Sequence, residues 1–372
     1  MNFQQKTISL FFVFGLAACS NNDGVSSAEQ CKVSDGLVAG APSLIDKAVL
    51  ENYTDNVVVP TYKSLAANAG ELKTAAIALK NSPTEESLSA MQAAWVAARI
   101  PWEQSEGFLF GPVDANAYDP ALDTWPLNKT DLETVLTSNA ALTSDFVATL
   151  DDNNKGFHTI EYLIFGEDSQ KKIAAFTARE YEYMIAASEN LQNVATLLVN
   201  SWTEGVDGAK PFRETFVTAG EAGNTVYPSI SAAGQEIING LIGIAEEVAD
   251  AKIANPFDAQ DPNLVESQFS FNSLQDFSDN MRGIENSWKG AAPDQIVKTG
   301  TSLSDRIGSH DPELNTCVTT GIQNSIDAIL EIPSPFPKSM LDPLNATVIT
   351  KAQEQIRLLR DTLLMNVLPL TK

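Results

Sequence analysis

The chain has 372 residues, with 48 Asp and Glu against 24 Lys and Arg, only 2 His, and a formal charge of −24. This length and a hydrophobic content of 44% suffice for a large core, and they exclude collagen, low-complexity disorder and a disulfide-stabilised miniprotein. The acidic charge argues against nucleic-acid binding, because a protein gains that affinity by releasing counterions with basic side chains. It argues equally against electrostatic docking on anionic lipid.

Residues 1–18 predict a secretory signal peptide. Lys6 precedes an apolar run that is shorter than the roughly 20 residues needed to span a bilayer. The run ends in Leu-Ala-Ala-Cys, which resembles a bacterial lipobox, where Cys19 becomes the lipidated first residue. Ser20 at the next position favours the outer over the inner membrane, and residues 19–35 then form a polar lipidated tether. The alternative is an ordinary signal peptide with a coincidental cysteine.

Two further cysteines, Cys31 and Cys317, face an oxidising compartment if the chain is exported. They either form one disulfide, which ties the end of the tether to a late helix, or remain separate thiols.

The remaining chain predicts helix after helix, because strand-like alternation is nearly absent and Gly and Pro fall between helical runs. The expected fold is all-α, with helical bundles at 36–205 and 225–372 packed against each other and a Gly-rich boundary near 204–226. Two helices share a 3-4-3-4 apolar rhythm, which is compatible with an internal duplication but also with any two bundle helices. The expected helices are 43–80, 83–109, 130–149, 156–165, 177–203, 228–254, 271–289, 311–331 and 345–367.

The stretch 156–166 (GFHTIEYLIFG) carries the most chemical information. His158 and Glu161 stand three residues apart and therefore share one face of a helix. An imidazole and a carboxylate at this spacing can hold one metal ion, as Glu-x-x-His pairs do in di-iron bundles. Their apolar neighbours predict burial, so both groups need partners. The alternative is a hydrogen-bonded pair at a helix surface; His310, the other histidine, is expected to be exposed.

A second group of charges lies near the end of helix 83–109. At about 100° per residue, Glu106 falls within a tryptophan stripe, flanked by Arg99 and Glu103. A carboxylate on a core face is costly unless it is paired or bound to metal. The alternative is an Arg99–Glu103 ion pair with Glu106 half exposed. Asp123 in the loop beyond is either a ligand or a solvated turn-former.

Several catalytic patterns are missing from the sequence. It contains no His-Glu-x-x-His, and Tyr162 occupies the position where the inverted form requires a second His. It also contains no Cys-x-x-Cys-His, no Walker loop and no Gly-x-Ser-x-Gly. Motif-level support for a zinc peptidase, a haem protein or a serine hydrolase is therefore lacking.

Together these motifs resemble the imelysin-like family of bacterial envelope proteins, often made as lipoproteins. The Gly-x-His-x-x-Glu hallmark is matched at 156–161. The runs 98–113, 123–126 and 266–277 also resemble the family, and all of these motifs occur in the family's order. The resemblance implies two helical bundles with the site near their junction. The family was first named for an insulin-cleaving peptidase, and many members are tied to iron. A related domain occurs in periplasmic components of ferrous iron uptake.

The resemblance also implies roles for individual residues. The implied metal ligands are His158, Glu161 and Glu106, with Glu103 or Asp123 as further candidates. Candidates for the wall of a cleft between the bundles are Arg99, Trp102, Ser267, Ser270 and Asn280.

The function predicted from all of this is divalent metal binding in the cell envelope, in the service of iron uptake. Iron is the favoured ion, and zinc or manganese are possible alternatives, because one imidazole with several carboxylates suits all three. The expected partners are the membrane, through the lipid anchor, and envelope proteins of iron uptake. The alternatives are a metallopeptidase with an open coordination position, and a non-catalytic module that binds a peptide or haem between the bundles.

Overall fold

The structure, a computed structural model, describes residues 43–292 and 300–372. These residues form helices joined by turns and contain no β-strand, which confirms the all-α prediction. Eight of the helices assemble into two four-helix bundles. The first bundle contains α1 (Val59–Asn81), α2 (Glu85–Glu103), α3 (Gly156–Phe165) and α4 (Ala178–Thr203), and the second contains α5 (Ile230–Glu246), α6 (Ser273–Lys289), α7 (Pro312–Leu330) and α8 (Ala346–Thr362).

Shorter helical segments connect and cap the bundles. Three of them are π-helical: Thr54–Val58, Glu247–Ala254 and Leu363–Val367. The α-helical ones are Lys47–Tyr53, Pro112–Ala115, Tyr118–Asp123, Lys129–Thr137, Ser144–Ala148, Phe212–Val217, Asn255–Ala259, Leu303–His310 and Phe336–Ser339. The 3-10 turns are Glu106–Phe108, Asp152–Asn154, Glu167–Ser169, Ile173–Ala175, Pro262–Leu264, Pro343–Asn345 and Leu368–Thr371.

The apolar rhythm of the sequence forms the seams of α2 and α6. All ten side chains are buried: Leu88, Met91, Trp95, Ala98, Trp102, Leu274, Phe277, Met281, Ile284 and Trp288. Burial of each large side chain contributes roughly 1.5–3 kcal/mol, so these two stripes are a main source of bundle stability. The shared rhythm follows from burial on one face, and an internal duplication stays a prediction.

Two predicted helices are shorter than expected. The expected helix 130–149 is wrong, since it divides into Lys129–Thr137 and Ser144–Ala148. The Ser138 hydroxyl bonds the Val135 carbonyl oxygen at 2.7 Å, and the Thr143 hydroxyl caps the second helix. Such side chains compete with the helical hydrogen bonds. The expected helix 83–109 ends at Glu103, within a turn of Pro101.

The two bundles approach most closely around the end of α2. A Cβ atom at Gly283 on α6 would lie only 2.5 Å from the carbonyl oxygen of Gln104. The missing side chain therefore lets α6 pack directly on the backbone that follows α2. This close approach brings the charged end of α2 against the second bundle.

The domain boundaries stay a prediction, with Phe212–Val217 lying in the expected linker. None of the described helices combines the length and apolarity that crossing a membrane requires. The predicted signal peptide, the tether, Cys19 and Cys31 lie outside the described residues, so the disulfide to Cys317 also stays a prediction.

Candidate metal centre

A cluster of buried polar and charged side chains lies where the two bundles meet. None of its members is more than 8% exposed. We call it the charge cluster, and it consists of Arg99, Glu103, Glu106, Asp123, His158, Glu161, Lys252, Glu266, Asp276 and Asn280. The first six lie in the chain segment of the first bundle, and the last four lie in that of the second. Neither bundle by itself therefore holds the whole cluster.

Gly156 explains how α3 reaches the cluster. Its φ is +75°, and a Cβ atom there would lie 2.2 Å from the carbonyl oxygen of Leu122. Only glycine tolerates both the conformation and the contact. The start of α3 thus packs on the end of helix Tyr118–Asp123, which places Nε2 of His158 3.1 Å from Oδ1 of Asp123.

His158 lies among three carboxylates. Its Nδ1 is 2.8 Å from Glu161 Oε2, and its Nε2 is 3.8 Å from Glu266 Oε1. Nε2 has no partner with hydrogen-bond geometry, although it is buried. Burial acts to lower the pKa of His158, but Asp123, Glu161 and Glu266 outweigh it and hold the pKa well above the usual 6.5. The surrounding carboxylates therefore favour the protonated form of the ring in the absence of a metal ion.

Glu161 connects His158 to the second half of the chain. Its Oε1 accepts hydrogen bonds from the backbone N–H of Phe269 at 3.0 Å and of Ser270 at 2.8 Å. The Ser270 hydroxyl donates to the same oxygen at 2.8 Å. Both oxygens of Glu161 are thus engaged, one with the imidazole and one with the loop that carries Glu266.

Arg99 is the central cation of the cluster. Its guanidinium bonds Glu103 and Asp123, and it lies 2.9 Å from Glu266 Oε1. Asp123 Oδ2 also accepts the indole N–H of Trp102 at 2.5 Å. Burial acts to lower the pKa of Arg99, but the surrounding carboxylates raise it instead. The guanidinium group of Arg99 offers five N–H donors in a planar fork, which suits a site where several carboxylates need one permanent counter-charge.

Lys252 neutralises the opposite end of the cluster. Its Nζ lies 3.2 Å from Glu103 Oε2, 2.7 Å from Glu106 Oε2 and 2.9 Å from Glu266 Oε2. Asn280 Nδ2 donates to the same oxygens of Glu103 and Glu106, at 2.7 and 2.5 Å. The Lys252 side chain is fully buried, and its ammonium is held by three carboxylates.

Negative charge exceeds positive charge in the cluster. Six carboxylates, those of Glu103, Glu106, Asp123, Glu161, Glu266 and Asp276, face only two permanent cations. Burial raises the pKa of Glu106 to about 8 although Lys252 opposes it. Burial likewise raises the pKa of Asp276 to about 7 against the opposing charge of Arg99. Six carboxylates against two permanent cations leave an excess of negative charge, which a divalent cation would offset.

Two sets of donor atoms are close enough to hold an ion. In each set the atoms lie within 4.8 Å of one another. The first set contains Asp123, His158 and Glu266, and the second contains Glu103, Glu106, Asp123 and Glu266. Imidazole with carboxylates suits iron, manganese or zinc. Nε2 of His158 fits this chemistry, because it is buried 3.1 Å from Asp123 Oδ1 without a hydrogen bond, and a buried nitrogen in that state is otherwise costly.

The structure brings together all five predicted ligands. The alternative in which Glu106 is half exposed is wrong, since Glu106 is 8% exposed. Glu106 belongs to the 3-10 turn Glu106–Phe108 rather than to α2. His310 is exposed, as predicted, and it lies at the end of the helix Leu303–His310.

The predicted wall residues also lie in or against the cluster. Trp102, Ser270 and Asn280 donate hydrogen bonds to its carboxylates. Ser267 follows Glu266 with a φ of 52°, and its hydroxyl is buried without a hydrogen bond. These side chains are buried or half-buried and pack around the charges.

Sequence reasoning missed Lys252 and Asp276 and assigned no role to Glu266. Glu266 lies in the run 266–277 that carries the family resemblance, so this signal could have identified it. Lys252 follows an ordinary amphipathic helix, and no local pattern distinguishes it from a surface lysine.

Comparison with known proteins gives one consistent family. The imelysin family model, Peptidase M75, matches residues 58–363. Iron-regulated protein A of Synechococcus elongatus is 32% identical over 330 residues, which cover 89% of this chain and 88% of that protein.

Two solved structures are similar over most of their lengths. A protein assigned as an iron-regulated protein A precursor, from Parabacteroides distasonis, has a TM-score of 0.77 and 28% identity, covering 90% of this chain and 97% of that one. An imelysin-like protein from Psychrobacter arcticum has a TM-score of 0.70 and 14% identity, covering 88% and 96%, which shows the shared fold alone.

Proposed function

Since the chain belongs to the imelysin family, we propose that it binds one divalent metal ion between its two bundles and serves iron uptake in the cell envelope. The proposed ligands are His158 Nε2, Asp123 and Glu266. The observation that carries the proposal is the buried Nε2 of His158, which lacks a hydrogen bond and lies beside these two carboxylates. Iron is favoured because two of the three named relatives carry the name iron-regulated protein A.

The glutamate of the His-x-x-Glu motif, Glu161, orients the proposed ligand His158. Glu161 accepts the Nδ1 hydrogen of His158, which orients the ring and fixes the tautomer whose Nε2 is free to ligate. Glu161 also holds the backbone at Phe269 and Ser270, and so positions the loop that carries Glu266. In this proposal Glu161 supports the site without binding the ion.

The burial of the site supports binding over peptide hydrolysis. A metal ion acts on a peptide bond only when the substrate reaches an open coordination position. His158 is 3% exposed, Asp123 4% and Glu266 0%. This degree of enclosure suits an ion that is held and exchanged, and it offers a polypeptide little access.

The same proposal places the protein at the envelope through its N-terminus. The lipobox-like sequence before Cys19 supports a lipid anchor, with the outer membrane favoured by Ser20. Envelope proteins of iron uptake are the proposed partners.

Metal content tests the proposal directly. The full-length protein, without a histidine tag, is loaded with Fe²⁺ under anaerobic conditions, or with Mn²⁺ or Zn²⁺, dialysed, and analysed by mass spectrometry. We expect one ion per wild-type chain, and none in His158→Ala with the fold retained by circular dichroism. His310→Ala is the matched control, because this exposed histidine should leave the metal content unchanged. Wild-type protein that retains none of the three ions would overturn the proposal.

A further inference from the structure

We propose that Lys252 is a built-in cation that fills the second of two carboxylate-lined positions, and so limits the protein to a single metal ion. Removal of its ammonium would open a two-ion site. This inference rests on the proposed function, because the first position is the one that His158 completes.

The two sets of donor atoms describe two adjacent positions. They share Asp123 and Glu266, while His158 belongs to the first set only. Glu266 divides its oxygens between them: Oε1 is 3.8 Å from His158 Nε2, and Oε2 is 2.9 Å from Lys252 Nζ. A carboxylate that presents one oxygen to each of two positions has the arrangement by which paired metal ions are bridged.

Lys252 occupies the second position in the manner of a bound ion. Its Nζ contacts one oxygen from each of Glu103, Glu106 and Glu266, at 2.7 to 3.2 Å. These carboxylates come from α2, from the turn after it and from the loop before α6. They converge on one point, and a compact ammonium with three donors fills it.

Lys252 is also held in place. Its side chain is fully buried, and its Nζ lies 5.6 Å from the centre of the Trp125 ring, within cation–π range. Moving the ammonium out of the cluster would leave three buried carboxylate oxygens without that cation. A metal ion that arrives at the His158 position therefore finds the neighbouring position occupied.

Asn280 gives a second sign that the Lys252 position could take a metal ion. Its Nδ2 donates to Glu103 and Glu106, while its Oδ1 is buried without a hydrogen bond. A half-turn of this amide would present Oδ1 to the same point. An oxygen donor then joins the carboxylates, which completes a set that divalent ions accept.

Keeping the site mononuclear has a chemical consequence. Lys252 brings one positive charge to the second position, where a divalent ion would bring two. It therefore repels an ion at the His158 position less than a second metal ion would. Lys252 is in this sense the residue that determines how many ions the protein takes.

The test counts ions in Lys252→Met against wild type. Full-length protein is titrated with Mn²⁺ alone, the bound ions are counted by equilibrium dialysis and native mass spectrometry, and spin coupling between neighbouring ions is followed by electron paramagnetic resonance. We expect Lys252→Met to bind one ion more than wild type, with a spin-coupled signal. Lys252→Arg is the control that keeps the charge, and it should bind the wild-type number.

The numbers of ions bound by wild type and by Lys252→Met test the inference and the proposed function separately. If Lys252→Met binds the same number as wild type, the inference is overturned, while one ion in both proteins leaves the proposed function standing. If wild type binds none, the proposed function fails, and a gain of one ion in Lys252→Met still supports the role of Lys252. No ion in either protein overturns both.

A second variant covers the case in which Lys252→Met fails to fold. Lys252→Met combined with Glu106→Gln removes the ammonium together with one of the three carboxyl groups that contact it, so fewer buried carboxylates lose their cation. Glu103, Asp123 and Glu266 remain for the second ion, and one ion more than in wild type is again expected, with weaker affinity. Circular dichroism confirms that the protein analysed is folded.

Discussion

The two ends of the charge cluster use similar carboxylates and differ in the cation that neutralises them. The His158 end consists of His158, Glu161 and Asp123; the Lys252 end consists of Lys252, Glu103 and Glu106; Glu266 and Arg99 contact both. An imidazolium becomes a metal ligand when it gives up one proton, whereas an ammonium at its raised pKa keeps its own. The neutralising side chain, rather than the carboxylates, therefore decides what each end can bind.

Removing Arg99 should damage both ends and have the largest effect. Arg99→Met leaves Glu103, Asp123 and Glu266 without their shared counter-charge, and breaking a buried ion pair costs about 3–5 kcal/mol. Urea unfolding measures this loss of stability. Arg213→Met is the matched control: Arg213 pairs with Asp55 at the surface, and such pairs contribute about 0–1 kcal/mol. Equal losses in the two variants would contradict the central role of Arg99.

Stability should fall as the pH rises, through Glu106 at the Lys252 end and, above pH 6.5, also through His158 at the other end. Glu106, at the Lys252 end, has a pKa of about 8, above its ordinary 4.5, because burial outweighs Lys252, and Glu266, Glu247 and Asp123 add to the rise. Between these values the folded protein binds more protons than the unfolded one, so its stability falls as pH rises. We expect metal-free protein to lose about 2–4 kcal/mol from pH 5 to pH 8.

Glu106→Gln is the control for this pH dependence. The amide does not titrate, so the slope should become shallower, with Asp276 still contributing through its raised pKa of about 7. The lowered pKa values of Asp123 and Glu266 affect the stability only at lower pH. Each of these carboxylates stabilises the folded protein fully above its pKa in the unfolded chain, and this contribution is lost as the pH falls toward its folded pKa. Chemical unfolding in chelator at several pH values gives the slope, and a stability that rises toward pH 8 would contradict the argument.

Glu161→Gln should weaken the His158 end alone. The Gln amide can still accept from Phe269 and Ser270 through its oxygen, but its NH₂ then donates to His158 Nδ1. The ring hydrogen moves to Nε2, which is no longer free to ligate. We expect about a 10–100-fold loss of metal affinity by chelator competition, as outer-shell partners typically give. NMR of the imidazole nitrogens reports the tautomer directly.

Glu167→Gln is the matched control for this variant. Glu167 pairs with Lys129 at the surface just after α3, so its affinity for metal should equal that of wild type. Unchanged affinity in Glu161→Gln would show that the carboxylate is not needed to set the tautomer.

The features that could be predicted from the sequence are those that depend on residues close to one another in the chain. The His158–Glu161 pair, the buried seams of α2 and α6 and the burial of Glu106 were predictable, because helical spacing and apolar neighbours are local properties. The break at Ser138 and Thr143 was missed, since hydroxyl groups that compete with helical hydrogen bonds leave only a weak signal.

The place of Lys252 in the charge cluster could not be predicted from the sequence. Local periodicity determined the helical content, the apolar faces and one half of the site, because each depends on residues within a turn or two of one another. Only the tertiary structure decided that a lysine after α5 meets glutamates from α2 and from the loop before α6. The free energy of a buried charge depends on groups far away in the chain, which local sequence patterns do not encode.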